Sequence, residues 1–264
     1  KAARPEQAIP LYEQFKKDFS EAIGSQVQSG EFGALPFQHC AIDHVFDSEI
    51  IKQCHSAFDV REDQKWDHQN DFDIEIKSRS NWLSEMDIPD GVLPIVRVFN
   101  SALVLRAISD LFGIPKLIPD PYFSGGGMNV TKPGGLLDVH IDGNYHDATG
   151  LNRRVNIILY LTEGWEESWG GELGLFLEDG DTCVKKIAPL CNRVVIFDTH
   201  DKSYHGLPNP LNYPEGRERR SVILYYYTKD SRPDHQIVEE KPHSALWKKR
   251  GGMDKRGNRD RPFE

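Results

Sequence analysis

From Pro121 to Thr228 the chain repeats one pattern, short β-branched and aromatic runs separated by Gly, Pro, Asn and Asp. The runs are PYFSGGGMNV, LLDVHI, RRVNIILYL, GELGLFL, TCVKKIAP, NRVVIFD and SVILYYYT. Runs of this length and composition between turn formers read as strands. Seven or eight strands in succession point to an antiparallel sandwich or jelly roll with helices packed outside it. The Gly-Gly pairs at 134–135 and 170–171 mark turns or close backbone approaches; neither has the spacing or the following helix of a nucleotide loop.

The first half reads as mostly helical. PLYEQFKKDFSEAIGSQVQSG carries Leu11, Phe15, Phe19 and Ile23 four apart, the apolar stripe of a covering helix that ends near Gly30. HCAIDHVF alternates like a short strand, and DSEIIKQCHSAF opens on Asp47, the expected N-cap of a second helix. GVLPIVRVFNSALVLRAISDLFG is apolar nearly all round, with Pro94 near its start and Gly113 where a left-handed C′ residue belongs, and so predicts one long buried helix. The stretch from Val60 to Asp90 is polar, anchored by Trp66 and Trp82, and shows no assignable period. The expected class is therefore mainly β with a helical N-terminal half (α+β). It is a single domain over residues 1–264, with 1–120 as mainly helical support, 121–230 as the β core and 231–264 as a C-terminal extension.

Composition narrows the function. A chain of 264 residues with 38% hydrophobic and 28% charged residues can bury a sizeable core. A net charge of −9 argues against a general nucleic-acid binder, because phosphate backbones demand a basic face. The basic bias of KKRGGMDKRGNRDRPFE reads as a solvated tail. Four scattered cysteines, Cys40, Cys54, Cys183 and Cys191, make neither a disulfide framework nor a CxxC zinc site, and suggest a reducing compartment. No apolar run approaches the roughly 20 residues of a membrane span. The expected setting is cytoplasmic, with no membrane and no nucleic-acid partner.

The candidate chemistry begins in LLDVHIDGNYH. On a strand, residues two apart share a face, so His140 and Asp142 aim a nitrogen and a carboxylate at one point while Ile141 turns away. An HxD pair alone equally describes the wet face of a strand. A third ligand decides, and three histidines offer themselves. His146 lies beyond the turn at Gly143 and Asn144, and His200 falls in THDKS, an exposed loop by composition. His205 follows the apolar strand NRVVIFD, where a neighbouring strand brings it alongside His140, and framework placement favours it. Asp138 has the same parity and belongs at the pocket margin or in solvent. Two imidazoles and one carboxylate leave open positions on the metal, the arrangement of non-haem Fe(II) oxygenases. Downstream, Arg219 and Ser221 share a strand face, and a guanidinium beside a hydroxyl is a carboxylate clamp. The plain alternative is an arginine on the rim, paired with Glu218.

With these residues in view the chain resembles the Fe(II)/2-oxoglutarate-dependent dioxygenases, in their prolyl-4-hydroxylase-like branch. The resemblance is carried by HID at 140–142, RRVNIILYLTEGW at 153–165, WGGELGLF at 169–176, NRVVIFDTHDKSYHGLP at 192–208 and RRSVILYYY at 219–227. It spans roughly residues 120 to 230 and implies a double-stranded β-helix core. It implies His140, Asp142 and His205 as iron ligands. Arg219 then binds the distal carboxylate of 2-oxoglutarate with Ser221 and Tyr160, Arg220 being the rival to Arg219. Leu173 lines the cosubstrate pocket. Arg153, with Arg154 as its rival, stands beside Asn144 and Tyr145 at the substrate entrance. The implied reaction hydroxylates an unactivated C–H bond of a prolyl, amino-acid-like or other small-molecule substrate. It consumes O2, with ascorbate as reductant, and releases succinate and CO2. Family halogenases lack the carboxylate ligand, so Asp142 implies a hydroxylase.

Two other readings use the same residues. A catalytic zinc also suits two nitrogens and a carboxylate, although the HExxH of zinc proteases is absent. A non-catalytic jelly roll that binds a sugar or a protein would leave Asp142 expendable and Arg219 without an anionic ligand.

Overall fold

The computed structural model describes residues 35–59, 66–71 and 74–248. The helix expected over 11–30 and the basic tail beyond Lys248 lie outside them. In chain order the elements are β1 (His39–Ile42), α1 (Ser48–Ala57), β2 (Trp66–Asp71), β3 (Glu75–Ser80), α2 (Leu93–Phe99), α3 (Ala102–Phe112), β4 (Ile118–Pro119) and β5 (Gly127–Thr131). There follow β6 (Leu136–Ile141), β7 (Asn152–Tyr160), β8 (Leu173–Phe176), β9 (Cys183–Ile187), β10 (Arg193–Asp198), β11 (His205–Leu207), β12 (Arg219–Thr228) and β13 (Leu246–Trp247).

The strands form an antiparallel jelly roll in the order β1-β10-β7-β12-β5-β3-β6-β11-β8-β9, with β13 beside β6. β7 carries the roll. Its Val155, Ile157 and Leu159 join Val194 and Ile196 of β10 and Val222 and Leu224 of β12 in a core that also takes Ile95 and Phe99 of α2 and Val104, Ile108 and Phe112 of α3. Its alternate residues Ile158 and Tyr160 pack inside the roll with Leu173, Leu175, Val195 and Phe197. Both faces are covered, which is why RRVNIILYL reads as a nearly continuous apolar run. Each fully buried aliphatic side chain of this kind contributes about 1.5–3 kcal/mol.

Two expectations change. The long helix over 91–113 is two helices, because Asn100 leaves the helical path and extended Ser101 (φ −73°, ψ 151°) restarts it, its hydroxyl accepting the Val104 N–H at 3.4 Å. Gly113 closes α3 at φ 65°, as the sequence predicts. The polar stretch before Asp90 supplies the hairpin β2–β3, and β3 pairs with both β5 and β6, joining the two halves of the roll. Trp82 is buried against Phe123. No described helix is long and apolar enough to cross a membrane.

Candidate active site

β6 and β11 lie side by side with His205 directly opposite His140. Asp142 follows two residues on, and all three side chains are buried around one point, their ligand atoms within 4.8 Å of one another. Each imidazole is fixed through Nδ1, His140 to the Asp138 carbonyl at 2.9 Å and His205 to the Ser203 carbonyl at 2.9 Å. A carbonyl only accepts, so both Nδ1 atoms carry a proton and both Nε2 atoms are turned toward Asp142. These Nε2 atoms stand 3.8 Å and 3.9 Å from the two Asp142 oxygens. Burial, then the neighbouring His205, push the His140 pKa down to about 4, which keeps the ring neutral as a metal ligand must be. Burial pushes the Asp142 carboxyl up, but His205, Arg153, His140 and a 3.2 Å hydrogen bond from Asn156 Nδ2 together hold it below its ordinary value.

The opposite end of the same cavity is built on β12. Arg219 is 7% exposed, donates from Nε to the Gly171 carbonyl at 2.9 Å and from Nη2 to the Tyr160 hydroxyl at 3.2 Å, and has no carboxylate partner among the described residues. Gly171 sits at φ 86°, and a Cβ there would lie 2.9 Å from Leu211 and 3.3 Å from the Arg219 side chain, so the close approach needs glycine. Burial raises the Tyr160 pKa and Arg219 works against that rise. Ser221 is fully buried on the same parity, its Oγ without a hydrogen-bond partner. Arg220 points the other way, to Asp59 at 2.9 Å and Glu218 at 3.2 Å, so the ion pair with Glu218 belongs to Arg220 and not to Arg219.

Between the two ends lies a cavity of about 450 Å3 whose wall includes Ile158, Leu173, Ile223 and Tyr225. Arg153 enters it, 4.0 Å over the Tyr225 ring and 3.9 Å from Asp142 Oδ1. Tyr145 lines it, whereas Asn144 does not: its amide donates to the Lys241 carbonyl at 3.0 Å and accepts the His243 N–H at 2.8 Å. Asn144 therefore fastens the C-terminal segment, a correction to the entrance position expected for it. Asp138 is also corrected. It is 4% exposed, off the cavity wall, and accepts its own neighbour's N–H at 2.8 Å. His146 lines the cavity but is tied to Asp120 at 2.9 Å and stands outside the His-Asp-His cluster. The THDKS loop is not exposed: Asp201 and Ser203 are 4% and 0% accessible.

Sequence reasoning missed Asn156, which alternation on β7 places on the face of Ile158 and Tyr160. It also missed the return of residues 232–248 as a strap. Arg232 and His243 meet Asp201 at 3.0 Å and 3.3 Å, and β13 pairs Trp247 with His140, the rings 4.9 Å apart. No local signal in KPHSALWKK marks that contact.

The fold and site resemble those of the 2OG-Fe(II) oxygenase superfamily, whose family profile matches residues 126–227. Prolyl hydroxylases are among the proteins to which the chain is similar. It is 31% identical over 86 residues to prolyl 3-hydroxylase OGFOD1 of Mus musculus, covering 31% of this chain and 15% of the mouse protein. A prolyl-4-hydroxylase of Pseudomonas putida superposes with a TM-score of 0.55 at 20% identity, over 72% of this chain and 92% of that one. HygX of Streptomyces hygroscopicus, solved with nickel, 2-oxoglutarate and hygromycin B bound, superposes with a TM-score of 0.51 at 13% identity, over 77% of this chain and 86% of that one. A stretch of 34 residues, 13% of the chain, is 68% identical to a D-aminoacyl-tRNA deacylase of Bacteroides fragilis, of which it covers 23%. So short a stretch does not carry a fold of its own. The chain thus spans less than a quarter of the length of these curated relatives.

Proposed function

We propose that this protein is an Fe(II)- and 2-oxoglutarate-dependent dioxygenase that hydroxylates an unactivated C–H bond of a prolyl, amino-acid-like or other small-molecule substrate and releases succinate and CO2. The observation that carries the reading is the pairing, in one cavity, of a buried His-Asp-His cluster with a buried arginine that lacks a carboxylate counter-ion among the described residues. A desolvated guanidinium without an anion is costly, so the cavity suits an anionic ligand. The donor set fits the metal: two imidazoles and a carboxylate, each held by a neighbour, match an open Fe(II) site. The unpartnered Ser221 Oγ fits a carboxylate acceptor beside Arg219. Bound iron would supply oxygen activation driven by decarboxylation of the cosubstrate.

The chain's own residues do the rest. Gly171 and Tyr160 lock the Arg219 fork for a carboxylate. Ile158, Leu173 and Ile223 keep that end dry. Asn156 and Arg153 hold Asp142 ionised and oriented. Arg153 and Tyr145 face the space left for the substrate. Ascorbate would serve as reductant.

The test loads the protein anaerobically with Fe(II), adds 2-oxoglutarate and oxygen, and measures succinate in wild type and Asp142→Ala. Candidate substrates, peptidyl proline and free amino acids among them, are screened for a gain of one oxygen atom. Succinate formation in wild type that is abolished in Asp142→Ala is expected. Absence of both turnover and Fe(II)-dependent 2-oxoglutarate binding overturns the reading, and retained zinc with hydrolytic activity replaces it.

A further inference from the structure

A second cavity, also of about 450 Å3, opens at the end of the sheet beside the C-terminus of α3 and shares no wall residue with the first. Three residues on its wall each carry a buried polar atom with no hydrogen-bond partner among the described residues: Arg154 Nε, Asp198 Oδ1 and Gln236 Oε1. Arg154 is 6% exposed and Asp198 2%. Buried polar atoms in folded proteins are nearly always satisfied, so three orphans around one void point to an occupant.

The orphans specify it. Gln236 Nε2 already donates to Asp198 Oδ2 at 2.9 Å, which leaves two acceptors and one guanidinium donor unmet. The occupant must therefore bring at least two donors and one acceptor. The fixed charges cancel: Arg154 stands against Asp198, and Lys202 is paired with Glu178 at 3.3 Å. That balance disfavours a phosphate or a second dicarboxylate and favours a ligand carrying both signs. Phe37, Phe112 and Ile114 supply an apolar wall.

We propose that this cavity binds a free α-amino acid with an apolar side chain, its ammonium group on Asp198 and Gln236 and its carboxylate on Arg154. An ammonium group carries three N–H donors and the carboxylate beside it accepts from a guanidinium, which answers every orphan at once. The inference is independent of the iron chemistry, because no residue is shared with the oxygenase cavity.

The test is calorimetric titration of the full chain with L-leucine and L-phenylalanine, repeated with phenylethylamine, which lacks the carboxylate, and with N-acetyl-L-phenylalanine, which lacks the ammonium group. Saturable binding of a free amino acid is expected, weakened at least roughly tenfold for either truncated probe. The same loss is expected in Arg154→Met and in the isosteric Asp198→Asn, whose fold is checked by circular dichroism. Saturating 2-oxoglutarate leaves the binding unchanged. Three results with the wild-type protein overturn the proposal: no saturable binding of either amino acid, which leaves water as the occupant; equal binding of the truncated probes; or competition by 2-oxoglutarate, which puts the ligand in the other cavity. Full affinity retained in both variants also overturns it.

Discussion

Replacing Arg219 by methionine separates a cosubstrate clamp from a merely structural arginine. The side chain is 7% exposed and held by two hydrogen bonds, at 2.9 Å to the Gly171 carbonyl and 3.2 Å to the Tyr160 hydroxyl. Removing a buried partner of a charged ligand costs about 2–5 kcal/mol of binding, or about 30-fold to several-thousand-fold in Kd. The same change strips a partner from Gly171 and from Tyr160, so unfolding stability falls by about 1–3 kcal/mol. The assay is anaerobic calorimetric titration of 2-oxoglutarate into Mn(II)-loaded protein, with urea unfolding alongside. Arg219→Lys keeps the charge without the fork and gives an intermediate Kd. Arg220→Met is the internal control. It breaks the pairs with Asp59 and Glu218, worth about 0–1 kcal/mol, together with the contacts to His55 and the Phe58 ring, all outside the cavity, and leaves 2-oxoglutarate binding at the wild-type value. Wild-type affinity in Arg219→Met, with the loss appearing in Arg220→Met, refutes the assignment of the two arginines.

Three further outcomes follow from the same geometry. Asn156→Ala removes the 3.2 Å bond that orients Asp142, and Mn(II) affinity measured by titration falls about 10- to 100-fold; an unchanged affinity would show that Asp142 needs no such support. Gly171→Ala forces a Cβ to 2.9 Å from Leu211 at φ 86°, so urea midpoints and 2-oxoglutarate affinity both decline, whereas a neutral result would place the Arg219 contact elsewhere. Burial pushes the Asp201 carboxyl up, but the His243 side chain, the Val238 and Glu239 N–H groups and Arg232 outweigh it and hold the pKa at about 2. A folded-state pKa depressed below the unfolded value stabilises above the latter. About 2 kcal/mol is thus fully present above about pH 4 and lost as pH falls toward about 2. Urea unfolding across that range, compared with Asp201→Asn, isolates the effect; parallel profiles for the two proteins contradict it.

Strand identity was legible because turn formers and β-branched runs are local signals. LLDVHI is β6 residue for residue, and the proximity of His140, Asp142 and His205 followed from strand parity and one neighbouring strand. What escaped was set by distant partners. The α2–α3 break depends on Ser101 capping a new helix, a choice that continuous apolar periodicity hides. The β2–β3 hairpin is polar because much of its surface faces solvent or the cavity, and its place in the sheet comes from β5 and β6. Asn144 looked like an entrance residue because it follows the metal pair. Its carboxamide is instead committed to residues 241 and 243, a contact no sequence window contains.

The two Arg-Arg pairs show how a single backbone detail sorts charge. On β12 alternation is regular at the start, so Arg219, Ser221 and Ile223 face inward and Arg220 outward. On β7 the same rule, counted back from Tyr160, Ile158 and Asn156, would send Arg154 inward. It does not, because the register against β12 slips: Tyr226 pairs with Val155 and Tyr227 with Arg153, which leaves Arg154 as the extra residue of a β-bulge. The bulge inverts the parity, placing Arg153 over Tyr225 near Asp142 and Arg154 in the second cavity beside Asp198. Without it Arg154 would face the His-Asp-His cluster and Arg153 would leave the cavity. The cation that helps hold Asp142 ionised, and the cation that faces Asp198 in the second cavity, are consequences of one inserted residue.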